Sequence, residues 1–192
     1  GPVAFLVIFL CLLVYWFIER FHWYIPFTIV VYFSLIALGV PFIWFGVDMI
    51  FNGPEFVLEF TLRQWELLTT NDAGHGGFPG YHFVVLLLGC FPASIFAIRG
   101  LGSFSGIPHH IKDFQRWMII MLVVVLVLFS IVGTKIIHYS SLAYYPLTFL
   151  SALALYHIYE QRGNYRTWMG AGVLLIGGII AFLSWALPYA GQ

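Results

Sequence analysis

Residues 117–139, WMIIMLVVVLVLFSIVGTKIIHY, decide the fold. The part from Trp117 to Gly133 contains no charged residue, and at about 1.5 Å of rise per residue it can cross most of the ~30 Å hydrocarbon core of a membrane as a helix. Lys135, His138 and Tyr139 follow at once, and a second uncharged stretch runs from 142 to 156. The pattern predicts two membrane spans joined by a short polar turn.

The composition extends this prediction to the whole chain. Of the 192 residues, 61% are hydrophobic and only 8% are charged, which is typical of an integral membrane protein surrounded by membrane lipids. The formal net charge is +0, so no basic surface is available for a phosphate backbone, and we expect no nucleic-acid partner. Cys11 and Cys90 lie in apolar stretches, where thiols behave as small hydrophobic groups, so no disulfide is implied.

Apolar segments recur along the chain and predict about six spans. They lie at 3–18, 24–47, 81–98, 117–133, 141–158 and 167–187. Because unpaired backbone groups are costly in lipid, the spans are expected to be helices, in one all-α transmembrane domain over residues 1–192. Four prolines, Pro26, Pro41, Pro92 and Pro146, are expected to kink or end helices.

Since the chain opens with Gly1-Pro2 and no initiator Met, we expect it to be a piece of a longer protein.

The basic residues predict the orientation of the bundle. Six of the eight Lys and Arg lie in the loops after the first, third and fifth segments: Arg20, Arg99, Lys112, Arg116, Arg162 and Arg166. By the positive-inside rule that side is cytoplasmic. The loop at 48–80, with Arg63, and the turn at Lys135 then share the outer face.

The outer loop at 48–80 has a pattern of its own. Glu55 to Leu68 predicts an amphipathic helix lying along the membrane interface, because its apolar and charged residues fall on different faces. The sequence NDAGHGGFPG at 71–80 follows, and its glycines predict a loop that brings backbone amides to an anion or closes as a lid. A plain surface turn is the alternative.

Lys135 has two interpretations that its position leaves open. An ammonium beside an imidazole and a phenol at the mouth of an apolar stretch can hold the phosphate of a lipid. A lysine at a span end can also simply snorkel to the interface as a membrane anchor.

Two blocks of sequence carry a family resemblance. DAGH at 72–75, FPGYH at 78–82 and GCFP at 89–92 resemble the later outer loop and next helix of the lipid A 4-amino-4-deoxy-L-arabinose transferases. KIIHY at 135–139, continuing to YPL at 145–147, is similar to the Lys-x-x-x-Tyr and aromatic-Pro pattern of those enzymes and of the related protein O-mannosyltransferases. Both belong to the GT-C superfamily of glycosyltransferases that use polyprenyl-phosphate sugars. The resemblance covers about residues 55–155.

The resemblance implies a reaction and a set of binding residues. A sugar leaves a polyprenyl phosphate at the outer face of the bacterial inner (plasma) membrane and is attached to a lipid, glycan or protein hydroxyl. Lys135 would hold the phosphate, and His138 and Tyr139 would add hydrogen bonds, with an aromatic-belt role as the alternative for Tyr139. Arg63 would be a second phosphate cation, although the family's arginine aligns nearer Leu67.

The resemblance also concerns the catalytic base and a metal. The family's catalytic carboxylate lies in a first outer loop that has no counterpart in this sequence, so we expect the base to lie outside these residues and the piece alone to bind the donor without transferring sugar. Within the sequence Asp72 is the candidate base, with a turn residue as its alternative, and Asp48 is more simply a helix end. His75 matches a metal-contacting position, so a divalent metal and a structural histidine both stay open there.

Two other functions remain open from the sequence. A flippase or transporter of lipid-linked sugars would use the same phosphate-binding residues without a base, but it should carry ionisable groups in mid-membrane, whereas the charged residues here cluster at span ends. A non-catalytic membrane scaffold is the third.

Overall fold

The structure is a computed structural model that describes residues 2–22, 25–69, 78–132, 135, 137–160 and 165–189. The described part is 84% helical and contains no strand, so the all-α prediction is confirmed. In chain order the helices are α1 (Pro2–Ile18), α2 (Phe27–Asn52), α3 (Glu55–Thr69), α4 (Tyr81–Gly89), α5 (Ala93–Gly100), α6 (His109–Ile131), α7 (Tyr144–Glu160) and α8 (Thr167–Ala186). Two 3₁₀ helices, Ile137–Ala143 and Leu187–Tyr189, precede α7 and follow α8.

Three helices of the described chain, α2, α6 and α8 with its 3₁₀ extension, are long and apolar enough to cross a membrane. The expected count of six is not confirmed. The third expected span is divided into α4 and α5, which meet at an angle of 114°, and counting this bent pair as one span gives up to four. Helices α1 and α7 have 17 residues each and are shorter than these three helices.

The prolines explain the ends of several helices. Pro92 lies at the break between α4 and α5, and Pro26 immediately precedes α2. Pro146 lies in the first turn of α7, where its missing N–H has no helical partner to lose. Pro41 lies inside α2, which continues to Asn52. Prolines at helix starts are therefore confirmed as boundary signals, whereas Pro41 does not end its helix.

Helix α6 is the centre of the packed core. Its buried residues Val125 and Phe129 share a hydrophobic cluster with Leu150 of α7. Tyr15 of α1 stacks on Trp117 of α6, with ring centroids 4.2 Å apart. By contrast, α2 buries no residue, as expected of a helix whose side chains face lipid.

Gly100 marks the closest backbone approach between α5 and α7. A Cβ atom built at Gly100 would overlap the backbone carbonyl of Leu150, which cannot move aside as a side chain can. We therefore expect Gly100→Ala to lower the free energy of unfolding by roughly 1–3 kcal/mol. The control is Gly178→Ala in α8, where nothing lies within 4 Å of the new methyl group. Thermal unfolding in detergent measures both, and equal stability of the two variants would contradict the predicted contact.

Basic residues lie at both ends of α6. At its N-terminal end Arg116 forms an ion pair with Glu19, which follows α1, and Lys112 lies one turn earlier. Arg99, near the end of α5, belongs to the same end of the bundle, because it contacts Phe104 and Gly102 in the loop between α5 and α6. Lys135 lies beyond the opposite end of α6, whose 23 residues span about 34 Å.

Candidate functional site

Lys135 folds back onto the C-terminal end of α6. Its Nζ donates to the backbone carbonyls of Phe129 (3.0 Å), Ser130 (2.7 Å) and Val132 (2.6 Å). The side chain is only 7% exposed. The last carbonyls of a helix have no donor within the helix and carry partial negative charge, so a lysine there satisfies them and stabilises the helix end. Lys135 is therefore the cap of α6.

The hydrogen bonds that cap α6 limit how Lys135 can bind a ligand. An ammonium group has three N–H donors, and all three are engaged by carbonyls. Desolvation by burial lowers the pKa of Lys135 below its ordinary value. A phosphate could contact the ammonium only by replacing one of these bonds, whereas the positive charge of Lys135 acts on any anion bound beside it.

His82 and Ser140 form a buried polar contact near Lys135. His82 Nδ1, in the first turn of α4, lies 2.6 Å from Ser140 Oγ in the 3₁₀ helix Ile137–Ala143. Both side chains are 1% exposed, and 58 residues separate them in sequence. His82 Nε2 is also buried and has no hydrogen-bond partner among the described residues. A buried polar atom of this kind is typical of a position that receives a ligand or an ordered water.

Phe129 joins these residues into one cluster. Its ring stacks on Tyr139 at a centroid distance of 4.9 Å and lies 6.0 Å from the His82 ring. Its carbonyl is one of the three that accept from Lys135. We call His82, Phe129, Lys135, Tyr139 and Ser140 the Lys135 cluster. It places a cation, an imidazole, a phenol and a hydroxyl around the C-terminal end of α6.

An apolar groove lies against the segment that directly follows the Lys135 cluster in sequence. It has a volume of about 920 Å³ and lies between α6 and the segment formed by the 3₁₀ helix and α7. Ser141 and Leu142, directly after Ser140, form one end of its wall, and Met118, Met121 and Phe149 are further along it. Walls of methionine, leucine and aromatic side chains suit a flexible hydrocarbon chain.

The structure brings together two of the predicted binding residues, Lys135 and Tyr139, through their shared contact with Phe129. His138 lies in the same 3₁₀ helix, and its side chain is outside the described part. Arg63 lies on a separate helix, α3, in an exposed ion pair with Glu66 at 3.1 Å. Asp72 and His75 lie outside the described residues, so their predicted roles stay predictions.

Two further predictions concern the segment at 48–80. A helix expected from Glu55 to Leu68 is observed as α3, and its Phe56 and Phe60 contact Phe45 of α2, while its position along the membrane interface stays a prediction. Asp48 lies in the last turn of α2, where its carboxylate accepts a 2.8 Å hydrogen bond from Asn52. Since α2 ends at Asn52, the prediction that Asp48 marks a helix end is confirmed.

Sequence reasoning missed His82 and Ser140 as members of the site. His82 stands at the start of an uncharged segment, which is the same signal that singled out Lys135. Ser140 carries no such signal, because a serine is common in apolar helices and its partner lies 58 residues away. A metal centre finds no support in the described ranges, which contain no group of three or more His, Cys, Asp or Glu placed to hold an ion.

The comparisons with known proteins add no relative. No family model, no curated protein and no solved structure matches the chain. The functional assignment therefore rests on the resemblance of the two sequence blocks and on the geometry of the Lys135 cluster.

Proposed function

We propose that the chain is part of an integral membrane glycosyltransferase of the GT-C type. It would move a sugar from a polyprenyl-phosphate donor to a lipid, glycan or protein hydroxyl at the outer face of the bacterial inner membrane. The observation that carries the proposal is the contact between His82 and Ser140. It brings His82, the last residue of FPGYH in the first block, against the residue directly after KIIHY in the second, and such proximity is expected if both blocks build one site.

The Lys135 cluster fits the electrostatic demand of this reaction. When the bond between sugar and phosphate breaks, negative charge builds on the leaving polyprenyl phosphate. The buried ammonium of Lys135 supplies a fixed positive charge, and the unpartnered Nε2 of His82 supplies a hydrogen-bonding group beside it. Both groups are held in place before the substrate binds, which is what makes such stabilisation effective.

The apolar groove supplies a place for the donor's tail. A polyprenyl chain is a long, branched hydrocarbon, and the wall of the groove of about 920 Å³ includes Ser141 and Leu142, the two residues that follow Ser140 of the cluster. A donor bound with its phosphate at the cluster and its first prenyl units in the groove would keep the sugar at the end of α6.

The proposal also gives a role to each of the remaining predicted residues. His138, Tyr139, Arg63 and His75 would supply further contacts to the phosphate or the sugar. The base that takes the acceptor proton would come from an outer loop of the enzyme, with Asp72 as the candidate in this chain.

A transfer assay with the full-length enzyme, which includes the outer loop expected to carry the base, tests the proposal. Membranes containing the protein are incubated with labelled polyprenyl-phosphate pentoses and hexoses and with lipid A, glycolipid and peptide acceptors. We expect label on one acceptor class and an equal amount of released polyprenyl phosphate, with membranes lacking the protein as the control. Transfer of no sugar to any acceptor would contradict the proposal. Labelled lipid that crosses vesicle bilayers without transfer would instead establish the flippase.

A further inference from the structure

A second cavity lies at the opposite end of α6, among the basic residues. It has a volume of about 350 Å³ and two unlike sides. Ser103, Lys112 and Arg116 line the polar side, and Ile18, Leu101 and Ile119 line the apolar side. The cavity therefore combines cations with hydrocarbon at the end of a candidate span.

Hydrogen bonds and an ion pair hold the residues on the polar side in place. The buried Gln115 amide donates to the carbonyls of Gly100 (2.7 Å) and Gly102 (2.9 Å), which fixes the loop that forms the cavity wall. Arg116 is oriented by its ion pair with Glu19. Lys112 lies one helical turn before Arg116, so both side chains share one face of α6.

A third cation stands against the same wall. The Arg99 guanidinium lies 4.4 Å from the centroid of the Phe104 ring, and Phe104 lines the cavity. Arg99 Nε is buried without a hydrogen-bond partner in the part of the chain that the structure describes. Two carboxylates stand against these three cations: Glu19, which is paired with Arg116, and Asp113, which contacts His109 at 2.7 Å. The charge around the cavity is therefore net positive.

We propose that this cavity binds the phosphodiester headgroup of an anionic glycerophospholipid. The phosphate would lie near Lys112, Ser103 and the Arg116 guanidinium, and the first acyl methylenes would lie on Ile18 and Leu101. Basic pockets between transmembrane helices on the cytoplasmic side recognise anionic headgroups in this way. The apolar side favours a lipid over free phosphate, because a small hydrated anion gains nothing from isoleucine and leucine walls. Lys112 and Arg116 lie about 26 Å and 20 Å along α6 from Phe129 of the Lys135 cluster, so this cavity is separate from the site of the proposed glycosyl transfer.

Lipid binding to the purified full-length protein in neutral detergent tests this site. The probes are phosphatidylglycerol, phosphatidylcholine with the same acyl chains, and inorganic phosphate at the same concentration, followed by native mass spectrometry and thermal unfolding. We expect bound phosphatidylglycerol and a raised unfolding temperature, and neither effect from the other two probes. Equal effects of the two lipids, or of phosphate and phosphatidylglycerol, would overturn the proposal.

Single substitutions test whether phosphatidylglycerol binds in this cavity. Lys112 is exposed, so Lys112→Gln should fold normally and weaken phosphatidylglycerol binding about fivefold, since a basic residue near an anionic lipid contributes about 1 kcal/mol. Lys112→Arg should restore the affinity. The matched control is Arg166→Gln, an exposed residue before α8 that does not line the cavity. The proposal is overturned if Lys112→Gln binds like the wild type or if Arg166→Gln loses as much affinity.

Discussion

Lys135→Ala is expected to lower the free energy of unfolding by roughly 2–4 kcal/mol, because it leaves three carbonyls at the end of α6 without their shared donor. If the proposed function holds, it also slows glycosyl transfer by the full-length enzyme about 30- to 1000-fold, because the positive charge proposed to stabilise the leaving phosphate is lost, which corresponds to ~2–4 kcal/mol in the transition state. Denaturant unfolding measures the first effect. Single-turnover transfer, at a temperature where the variant is folded, measures the second.

Two conservative variants of Lys135 separate its role as the cap of α6 from the effect of its positive charge. Lys135→Gln keeps N–H donors for the carbonyls but removes the positive charge, so we expect most of the stability and little of the transfer rate. Lys135→Arg keeps the charge and part of the capping and should retain part of both. If Lys135→Gln transfers sugar at the wild-type rate, Lys135 is a helix cap and the phosphate role is wrong.

The sequence predicts local features of this fold well and long-range ones poorly. Helical class follows from composition, because a backbone in lipid must satisfy its own hydrogen bonds. The break at Pro92 and the start of α3 at Glu55 follow from local chemistry. The number of spans does not follow, since local chemistry places the break at Pro92 but gives neither the 114° angle between α4 and α5 nor whether the pair crosses a membrane as one span.

The same limit applies to the site. A lysine after an apolar helix is visible in the sequence, and its proximity to Tyr139 follows from their spacing. The cap depends on how the chain turns back after Val132, which side-chain patterns do not specify. The contact of His82 with Ser140 depends on the packing of α4 against the 3₁₀ helix, which the local sequence of neither segment specifies.

His82→Asn is expected to reduce transfer about 100-fold while leaving most of the fold intact. The shorter amide occupies the position of Nδ1 and can keep the hydrogen bond to Ser140, but it removes the group at Nε2 that faces the substrate phosphate in the proposed function. Loss of one preorganised hydrogen-bonding group of this kind costs about 10²–10³ in rate. His82→Gln, whose amide reaches the Nε2 position, should recover part of the rate.

His157 provides the matched control for this prediction. It is also a buried histidine, 3% exposed, and its Nε2 also lacks a partner among the described residues. It packs on Phe104 near the far end of α7, roughly 20 Å along the helix from Tyr144 and therefore far from the Lys135 cluster. His157→Asn should cost a similar amount of stability and leave transfer unchanged. If the two variants lose transfer equally, the loss reflects disturbed packing and His82 has no special place in the site; if neither loses any, its Nε2 does not meet the phosphate.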